Sequence, residues 1–232
     1  MNASGPSAYH DVDLVRERVA LGEHRDVIGG LWEELGALQF DFLVSQGLMP
    51  EDRLLDVGCG SLRAGVRLVP YLQPGRYYGL DLREELLDAG YEREIVPMGL
   101  ASRLPRANLA TVGDFDATGF GVTFNYAIAQ SVFTHLPQDE LARCLIALAP
   151  VFEPGGRFLV TYFERPADAQ PGGVAHPRGI VTHADRDPFD FTQEQLRAAT
   201  VEGWTLDVIG EWGHPRDQRM AVFTRHGHAG DR

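Results

Sequence analysis

Between residues 53 and 163 the chain alternates short apolar runs with segments whose apolar residues recur at helical spacing. Five runs have the length of one buried strand: 53–57, 76–81, 107–112, 124–130 and 156–163. Helical spacing separates several of them, at 62–72, from about residue 83, and around Leu141, Leu145 and Leu148. Strands that alternate with helices are joined by right-handed crossovers and form a parallel sheet covered on both faces. The alternation therefore predicts a doubly wound α/β fold.

The ends of the chain add elements to this core. Helical spacing covers 11–21 and 29–46, and a later helix at 192–201 has Thr192 as its N-cap. Two further strands, 204–212 and 219–225, are joined by a short link and predict an antiparallel pair. We find no repeat and no interdomain linker, so residues 1–232 are assigned to a single domain. Its parts are a helical lid (11–46), a core (52–164), a loop (165–190) and a C-terminal helix and strand pair (192–225).

Composition excludes several classes of function. The chain has a formal net charge of -12 and no lysine, which disfavours nucleic acid as a partner and excludes Schiff-base chemistry. Two cysteines, Cys59 and Cys144, are too few for a disulfide framework or a thiolate zinc site. No apolar stretch approaches the ~18 residues of a membrane span, and the N-terminal residues do not resemble a signal peptide. We therefore expect a cytoplasmic protein without a membrane partner.

The first strand runs into a turn with two glycines, in the sequence LLDVGCG (54–60). A tight turn alone would explain Gly58 and Gly60, but glycines also allow a ligand to approach the backbone, and we expect their N–H groups to be available as donors. Asp81 ends the second strand, where a carboxylate can accept hydrogen bonds from ribose hydroxyls. Asp114 follows the third strand. Carboxylates and glycines at the carboxyl ends of neighbouring strands indicate an adenosine site.

A dinucleotide site would need a third glycine, but Arg63 stands in its place, which disfavours a nicotinamide oxidoreductase. Instead the sequence resembles the class I S-adenosylmethionine-dependent methyltransferases. The matching motifs, in family order and spacing over residues 52–164, are LLDVGCG, YYGLD, VGDF, AIAQSVFTHLP and FEPGGRFLV. The resemblance implies a mostly parallel seven-stranded sheet of order 3-2-1-4-5-7-6 with N-terminal lid helices. It also implies S-adenosylmethionine as cofactor and S-adenosylhomocysteine as product.

By this resemblance, each cofactor group has its expected residues. Asp56, Gly58 and Gly60 hold the methionine part, Asp81 holds the ribose, and Asp114 and Phe115 meet the adenine. Gln130 and Ser131 lie under the cofactor. Further residues expected at the cofactor are Cys59, Arg63, Leu82, Arg25 and Trp32.

Three of these residues keep alternative interpretations. Cys59 is interpreted as a small residue that fits the turn rather than as a nucleophile. Arg63 either binds the cofactor carboxylate or lies on a helix surface. Trp32 either closes over the cofactor together with Arg25, on a hinge at Gly29 and Gly30, or belongs to a helix core.

His135, just after the fourth strand, is the candidate general base for a hydroxyl acceptor. Its alternative role is to brace the helix that follows. His176, His183 and His214 lie on loops that could also reach the site. The run THADRD (182–187) could suggest a metal site, but short-spaced polar residues on a flexible loop are more often solvated, and we predict no metal.

The substrate is predicted mainly from absences. Motifs typical of base or amide methylation are missing after the fourth strand, so we expect a small-molecule or saccharide-like acceptor. The Pro- and Gly-rich segment 165–190 shows no sustained periodicity and is expected to be a mobile substrate lid. A non-catalytic cofactor-binding sensor and an aminopropyl transferase remain as alternatives, and the sequence does not indicate an oligomeric state.

Overall fold

The structure is a computed structural model that describes residue 9, residues 11–169 and residues 172–227. The chain divides into two compact units, Ser7–Gly113 and Asp114–Arg232, which we call the N-terminal and C-terminal units. Contacts between residues are concentrated within each unit, so each unit has a fold of its own. That both belong to a single domain stays a prediction.

The N-terminal unit contains three parallel strands, β1 (Leu54–Val57), β2 (Tyr77–Asp81) and β3 (Leu109–Thr111), with β2 in the middle. Leu54 pairs with Tyr77, and Gly79 pairs with Leu109. Every residue of β1 and β2 is buried. Continuous burial is typical of parallel strands, and it explains why these segments read as unbroken apolar runs.

The described residues of the N-terminal unit also form five α-helices: α1 (Val12–Ala20), α2 (His24–Val27), α3 (Trp32–Ser45), α4 (Gly65–Tyr71) and α5 (Glu84–Gly90). The helix predicted over 29–46 begins only at Trp32. Gly29, Gly30 and Leu31 have φ angles of 89°, 61° and 51°, which a right-handed helix cannot contain. The short helix α2, which was not predicted, precedes this left-handed segment.

The C-terminal unit carries the remaining elements. They are β4 (Phe124–Ala129), α6 (Gln138–Leu148), β5 (Phe152–Glu164), β6 (Val174–His176), β7 (Ile180–Thr182), β8 (Asp190–Phe191), α7 (Gln193–Ala199), β9 (Trp204–Gly210) and β10 (Gln218–Arg225). Strand β4 is parallel to β5, whereas β10 is antiparallel to both β5 and β9. Thr192 caps α7 through a hydrogen bond from the Gln195 N–H, as predicted. The antiparallel pair β9–β10 also has its predicted geometry.

The segment 165–190 contains more regular structure than the sequence indicated. Strands β6 and β7 form an antiparallel hairpin, and β8 is parallel to the end of β5. A buried ion pair joins Arg165 to Asp190, with 2.7 Å between Nε and Oδ1. Strands of two or three residues are too short to produce a recognisable period, so the pattern missed them.

The two units carry the two parts of the predicted strand order. The order is β3-β2-β1 in the N-terminal unit and β4-β5-β10-β9 in the C-terminal unit, where β10 and β9 are the predicted seventh and sixth strands. This confirms the predicted Rossmann-like class, a mostly parallel sheet with helices. None of the helices in the described part of the chain has the length and apolar character needed to cross a bilayer.

Gly90 gives a test of how closely helix α5 is packed. A Cβ atom added at this position would lie 2.6 Å from the backbone carbonyl carbon and oxygen of Ser61. Because backbone atoms cannot yield as a flexible side chain can, we expect Gly90→Ala to lower the free energy of unfolding by about 1–3 kcal/mol. Thermal unfolding of the variant measures this. Gly119→Ala is the matched control, because a Cβ there meets nothing within 4 Å, and an equal loss in both variants would contradict the packing argument.

Candidate functional site

The glycine turn, residues 58–61, follows β1 and is shaped by packing as well as by backbone conformation. Gly58 and Gly60 have φ angles of 71° and 54°. A Cβ on Gly60 would lie 2.7 Å from Cγ2 of Ile28. The expectation that both N–H groups are available to a ligand is wrong. The Gly58 N–H donates to the Leu80 carbonyl at 2.8 Å, and the Gly60 N–H donates to Asp81 Oδ2 at 2.7 Å.

Asp81 is buried at the end of β2 and joins three parts of the N-terminal unit. Its Oδ2 accepts from Gly60, while its Oδ1 accepts from the Arg83 N–H at 2.8 Å and from the Tyr9 hydroxyl. Burial raises the pKa of Asp81, and these hydrogen bonds oppose the rise. Leu82 beside it keeps 46% of its surface exposed. The ribose role of Asp81 and the cofactor contact of Leu82 stay predictions.

Asp56, the third residue of β1, is buried against Tyr77. The Tyr77 hydroxyl donates to Asp56 Oδ2 at 2.7 Å. Burial raises the pKa of Asp56 to about 7, although the hydrogen bond from Tyr77 and the charge of Arg63 act in the opposite direction. Asp56 therefore titrates near neutral pH. Its expected contact with the methionine part of the cofactor stays a prediction.

Cys59 lies within the glycine turn, and Arg63 lies two residues after it. The Cys59 thiol packs against Gly79, where a Cβ would lie 2.7 Å from Sγ, and burial raises the pKa of the thiol. A protonated, packed thiol agrees with the interpretation of Cys59 as a residue that fits the turn. Arg63 is buried rather than on a helix surface, so that alternative is wrong. Its Nη1 donates to the carbonyl oxygen of Gly30 at 3.0 Å.

Arg25 and Trp32 lie together in the N-terminal unit. The Arg25 guanidinium is 4.6 Å from the centroid of the Trp32 ring and donates two hydrogen bonds to Glu94, at 2.7 and 2.6 Å. Glu94 was not predicted, because it lies 69 residues further along the chain and no local pattern marks it. Closure of Arg25 and Trp32 over a cofactor stays a prediction.

In the C-terminal unit, the first residues predicted to contact the cofactor are Asp114 and Phe115, at the start of the unit. Asp114 is exposed, and its Oδ1 accepts from the Asp116 N–H at 3.2 Å. Phe115 has a φ of 64°, and its ring lies 6.2 Å from that of Phe133. A positive φ at a phenylalanine is rare. The adenine contacts of Asp114 and Phe115 stay predictions.

Gln130 and Ser131, at the carboxyl end of β4, belong to a polar network that the sequence did not reveal. The Gln130 amide nitrogen lies 2.9 Å from Ser131 Oγ and 3.0 Å from Gln218 Oε1. His214 lies 3.3 Å from the same nitrogen, and the ring of Trp212 stacks on His214. Of the histidines expected to reach the site, His214 is thus the one that meets Gln130.

His135 also meets a partner that was not predicted. Its Nδ1 lies 2.7 Å from Oδ1 of Asp187, the last residue of the run THADRD. The Phe189 N–H donates to the Thr134 carbonyl at 2.8 Å, which holds the two segments together. The His135 side chain is 40% exposed, whereas that of Asp187 is 13% exposed. Among the residues that the structure describes, no group of three or more His, Cys, Asp or Glu side chains is arranged to hold a metal ion.

Comparisons with known proteins match both the sequence and the fold. A family model described as a methyltransferase domain matches residues 55–160. Among similar solved structures is the magnesium protoporphyrin IX methyltransferase of Synechocystis PCC 6803 with bound S-adenosylmethionine. It is 15% identical, has a TM-score of 0.63, and the match covers 97% of this chain and 100% of that one.

Two further solved structures are described as enzymes that act on sugars. The sugar N-methyltransferase of Streptoalloteichus sp ATCC 53650 is 18% identical with a TM-score of 0.59, covering 84% of this chain and 88% of that one. The amino pentose methyltransferase of Micromonospora echinaspora is 21% identical with a TM-score of 0.58, covering 89% and 95%. At these identities the likeness shows the fold.

Asp56 leads to a prediction about pH. Its pKa of about 7 in the folded protein lies above the value of ~3.9 for an unfolded chain, so between these values the folded state binds more protons. The stability that Asp56 contributes to the wild type therefore falls as pH rises through this window. Asparagine can still accept from Tyr77 but does not titrate. We therefore expect the free energy of unfolding of Asp56→Asn, relative to that of the wild type, to increase from pH ~4 to ~7. The increase is at most about 1.4 kcal/mol per pH unit.

Denaturant unfolding at several pH values measures this difference. The exposed aspartate Asp207 on β9 supplies the control variant Asp207→Asn, which makes the same chemical change at the surface. A constant difference between Asp56→Asn and the wild type across the window would show that Asp56 does not titrate there.

Proposed function

We propose an acceptor class and a catalytic base for this protein, starting from the premise that it is a class I S-adenosylmethionine-dependent methyltransferase. The matched domain and the fold confirm that expectation, including the enzyme class and the cofactor. The proposal is that the methyl group goes to a hydroxyl of a small molecule, saccharide-like in character, and that His135 removes the proton. The observation that carries it is the contact between His135 and Asp187.

The His135–Asp187 contact defines which ring nitrogen can act. A carboxylate accepts hydrogen bonds, so Nδ1 carries a hydrogen and donates it to Asp187 across 2.7 Å. In the neutral ring Nε2 then has the lone pair, on a side chain that is 40% exposed. Asp187 also stabilises the imidazolium that forms when Nε2 takes a proton.

The reaction balances with these groups. A lone pair of the acceptor oxygen forms a bond to the methyl carbon, the bond from that carbon to sulfur breaks, and sulfur keeps the electron pair. The hydroxyl proton passes to Nε2 of His135. The protein aligns the two reactants, an effect that can supply ~7–11 kcal/mol, and the base adds a further factor of about 10²–10⁴ in rate.

The acceptor class rests on charge and on similar proteins. A net charge of -12 makes a nucleic acid a poor substrate. Two of the similar structures are described as methyltransferases of sugars, which supports a polar small molecule here. The hairpin of β6 and β7 and the segment that carries Asp187 are proposed to bound the acceptor, in place of the mobile lid expected from the sequence.

Product analysis tests the acceptor class. The protein is incubated with methyl-labelled S-adenosylmethionine and a fractionated metabolite extract, beside a panel of monosaccharides and aminosugars. Mass spectrometry then identifies products that have gained one CH₂ and shows which atom carries it. Label on nitrogen or carbon alone would overturn the hydroxyl assignment, and label on protein or nucleic acid alone would overturn the small-molecule class.

His135 and Asp187 supply the mechanistic prediction. We expect His135→Ala to lower kcat by about 10²–10⁴ with cofactor affinity unchanged. Asp187→Asn should lower kcat in the same direction, because the amide no longer selects the reactive tautomer. Steady-state kinetics and calorimetry of cofactor binding measure both effects.

The control for this prediction is His226→Ala, because His226 is exposed and its Nε2 contacts Thr205. If cofactor affinity, melting temperature and kcat all fall in His135→Ala, then His135 braces the helix and is not a base.

A further inference from the structure

Tyr9 precedes helix α1 and lies at the end of β2, where it contacts Asp81, 72 residues further along the chain. The Tyr9 hydroxyl donates a hydrogen bond to Asp81 Oδ1. The Tyr9 backbone carbonyl accepts a second hydrogen bond, from Nε of Arg83 at 2.8 Å. Two hydrogen bonds therefore hold Tyr9 at the residue that is expected to bind the ribose of the cofactor.

The direction of the Tyr9–Asp81 contact follows from the other donors to this carboxyl group. The Gly60 N–H donates to Oδ2 at 2.7 Å, and the Arg83 N–H donates to Oδ1 at 2.8 Å. Both oxygens accept, as those of an ionised carboxylate do. Burial and the charge of Asp81 raise the pKa of Tyr9, so its hydroxyl keeps the proton at neutral pH. Tyr9 thus donates to an ionised acceptor, which makes a strong class of hydrogen bond.

The Asp81 carboxylate has little capacity left for a ligand. A carboxylate offers about four lone-pair sites. In the described part of the chain, these sites receive the Tyr9 hydroxyl and the N–H groups of Arg83, Gly60 and Leu82. Asp81 also keeps only 2% of its surface exposed. A ribose that brings hydroxyl donors to this carboxylate can therefore bind only if one of these donors leaves.

Tyr9 is the donor that can leave with the least disturbance of the fold. Gly60 lies in the glycine turn with Ile28 packed against it, and Leu82 and Arg83 directly follow β2. Their N–H groups belong to the main chain and cannot turn away unless these elements move. The Tyr9 hydroxyl is at the end of a side chain, so rotation about side-chain bonds is enough to carry it away.

Helix α1 is held in place independently of the contact between Tyr9 and Asp81. Val15 is fully buried. Arg16 forms an ion pair with Glu85 of α5, with 2.6 Å between Nε and Oε1. Release of Tyr9 therefore does not require the helix that follows it to leave the N-terminal unit.

We infer that Tyr9 is an intramolecular competitor of the cofactor: its hydroxyl occupies Asp81 until a ribose hydroxyl of S-adenosylmethionine takes its place. The inference rests on the methyltransferase assignment and on the ribose role proposed for Asp81, and it adds a contact that opposes cofactor binding. One hydrogen bond to the carboxylate is exchanged for another, and no covalent bond changes.

Calorimetric titration with S-adenosylhomocysteine tests the competition. Tyr9→Phe keeps the ring and removes the donor, so the ligand no longer has to break a hydrogen bond to Asp81. We expect this variant to bind S-adenosylhomocysteine about tenfold to a hundredfold more tightly than the wild type, as for a hydrogen bond to a charged group. Tyr71→Phe is the matched control. The Tyr71 hydroxyl donates to the Leu48 carbonyl at 2.8 Å, so its loss should leave the affinity unchanged.

Limited proteolysis measures the release of Tyr9 in the wild type. Chymotrypsin cleaves after tyrosine and phenylalanine, and mass spectrometry of the remaining chain detects cleavage after position 9. We expect this cleavage to become faster as S-adenosylhomocysteine is added to the wild type, because the ligand displaces Tyr9. In Tyr9→Phe, cleavage at the same position should be fast without the ligand. Thermal unfolding shows whether the variant is folded, and the measurement on the wild type does not depend on it.

Two results would overturn the inference. One is a folded Tyr9→Phe that binds S-adenosylhomocysteine as tightly as the wild type or more weakly. The other is cleavage after Tyr9 that the ligand slows or leaves unchanged, because Tyr9 then stays in place or closes over the ligand. A wild type that binds no S-adenosylhomocysteine would instead overturn the cofactor assignment, and unchanged binding by Asp81→Ala would overturn the ribose role of Asp81.

Discussion

The glycine turn after β1 is enclosed by contacts that leave no space for an added side chain on the glycines around it. Ile28 lies against Gly60, the Cys59 thiol lies against Gly79, and the backbone of Ser61 lies against Gly90. Because protein interiors are close-packed, these contacts determine how near α2 and α5 come to the turn. The positions of the side chains that α2 carries, His24 among them, follow from this constraint.

Buried carboxylates give the N-terminal unit its second constraint. Asp56, Asp81 and Glu94 are all removed from solvent, which costs free energy unless each finds donors. Tyr77 donates to Asp56, and the Gly60 and Arg83 N–H groups donate to Asp81. Arg25 donates two hydrogen bonds to Glu94. Such satisfied networks hold side chains in one arrangement, which suits a site that must be formed before its ligand arrives.

The C-terminal unit also holds side chains in one arrangement, but it does so with an ion pair inside a loop. The segment after β5 is built around the buried pair of Arg165 and Asp190, and the Thr182 hydroxyl also donates to Asp190 at 2.7 Å. This small core allows Asp187 to meet His135, although the two residues are 52 positions apart in the chain. The chemistry proposed for the protein depends on this loop, which the buried ion pair and the hydrogen bond from Phe189 to Thr134 hold in place.

The sequence by itself determined the architecture. The period of apolar residues and the glycines at 58 and 60 are local properties, which can be recognised without knowledge of the fold. The sequence also indicated Asp81, which ends one strand, and His135, which follows another, since the ends of both strands could be located. Tertiary structure alone decided the partners: Glu94 for His24, Asp187 for His135, and Gln218 for Gln130. These pairs lie 70, 52 and 88 residues apart, and no local pattern encodes a contact over such separations. The same limit explains why the N–H groups of the turn were expected to be available: their acceptors, Leu80 and Asp81, come from a neighbouring strand.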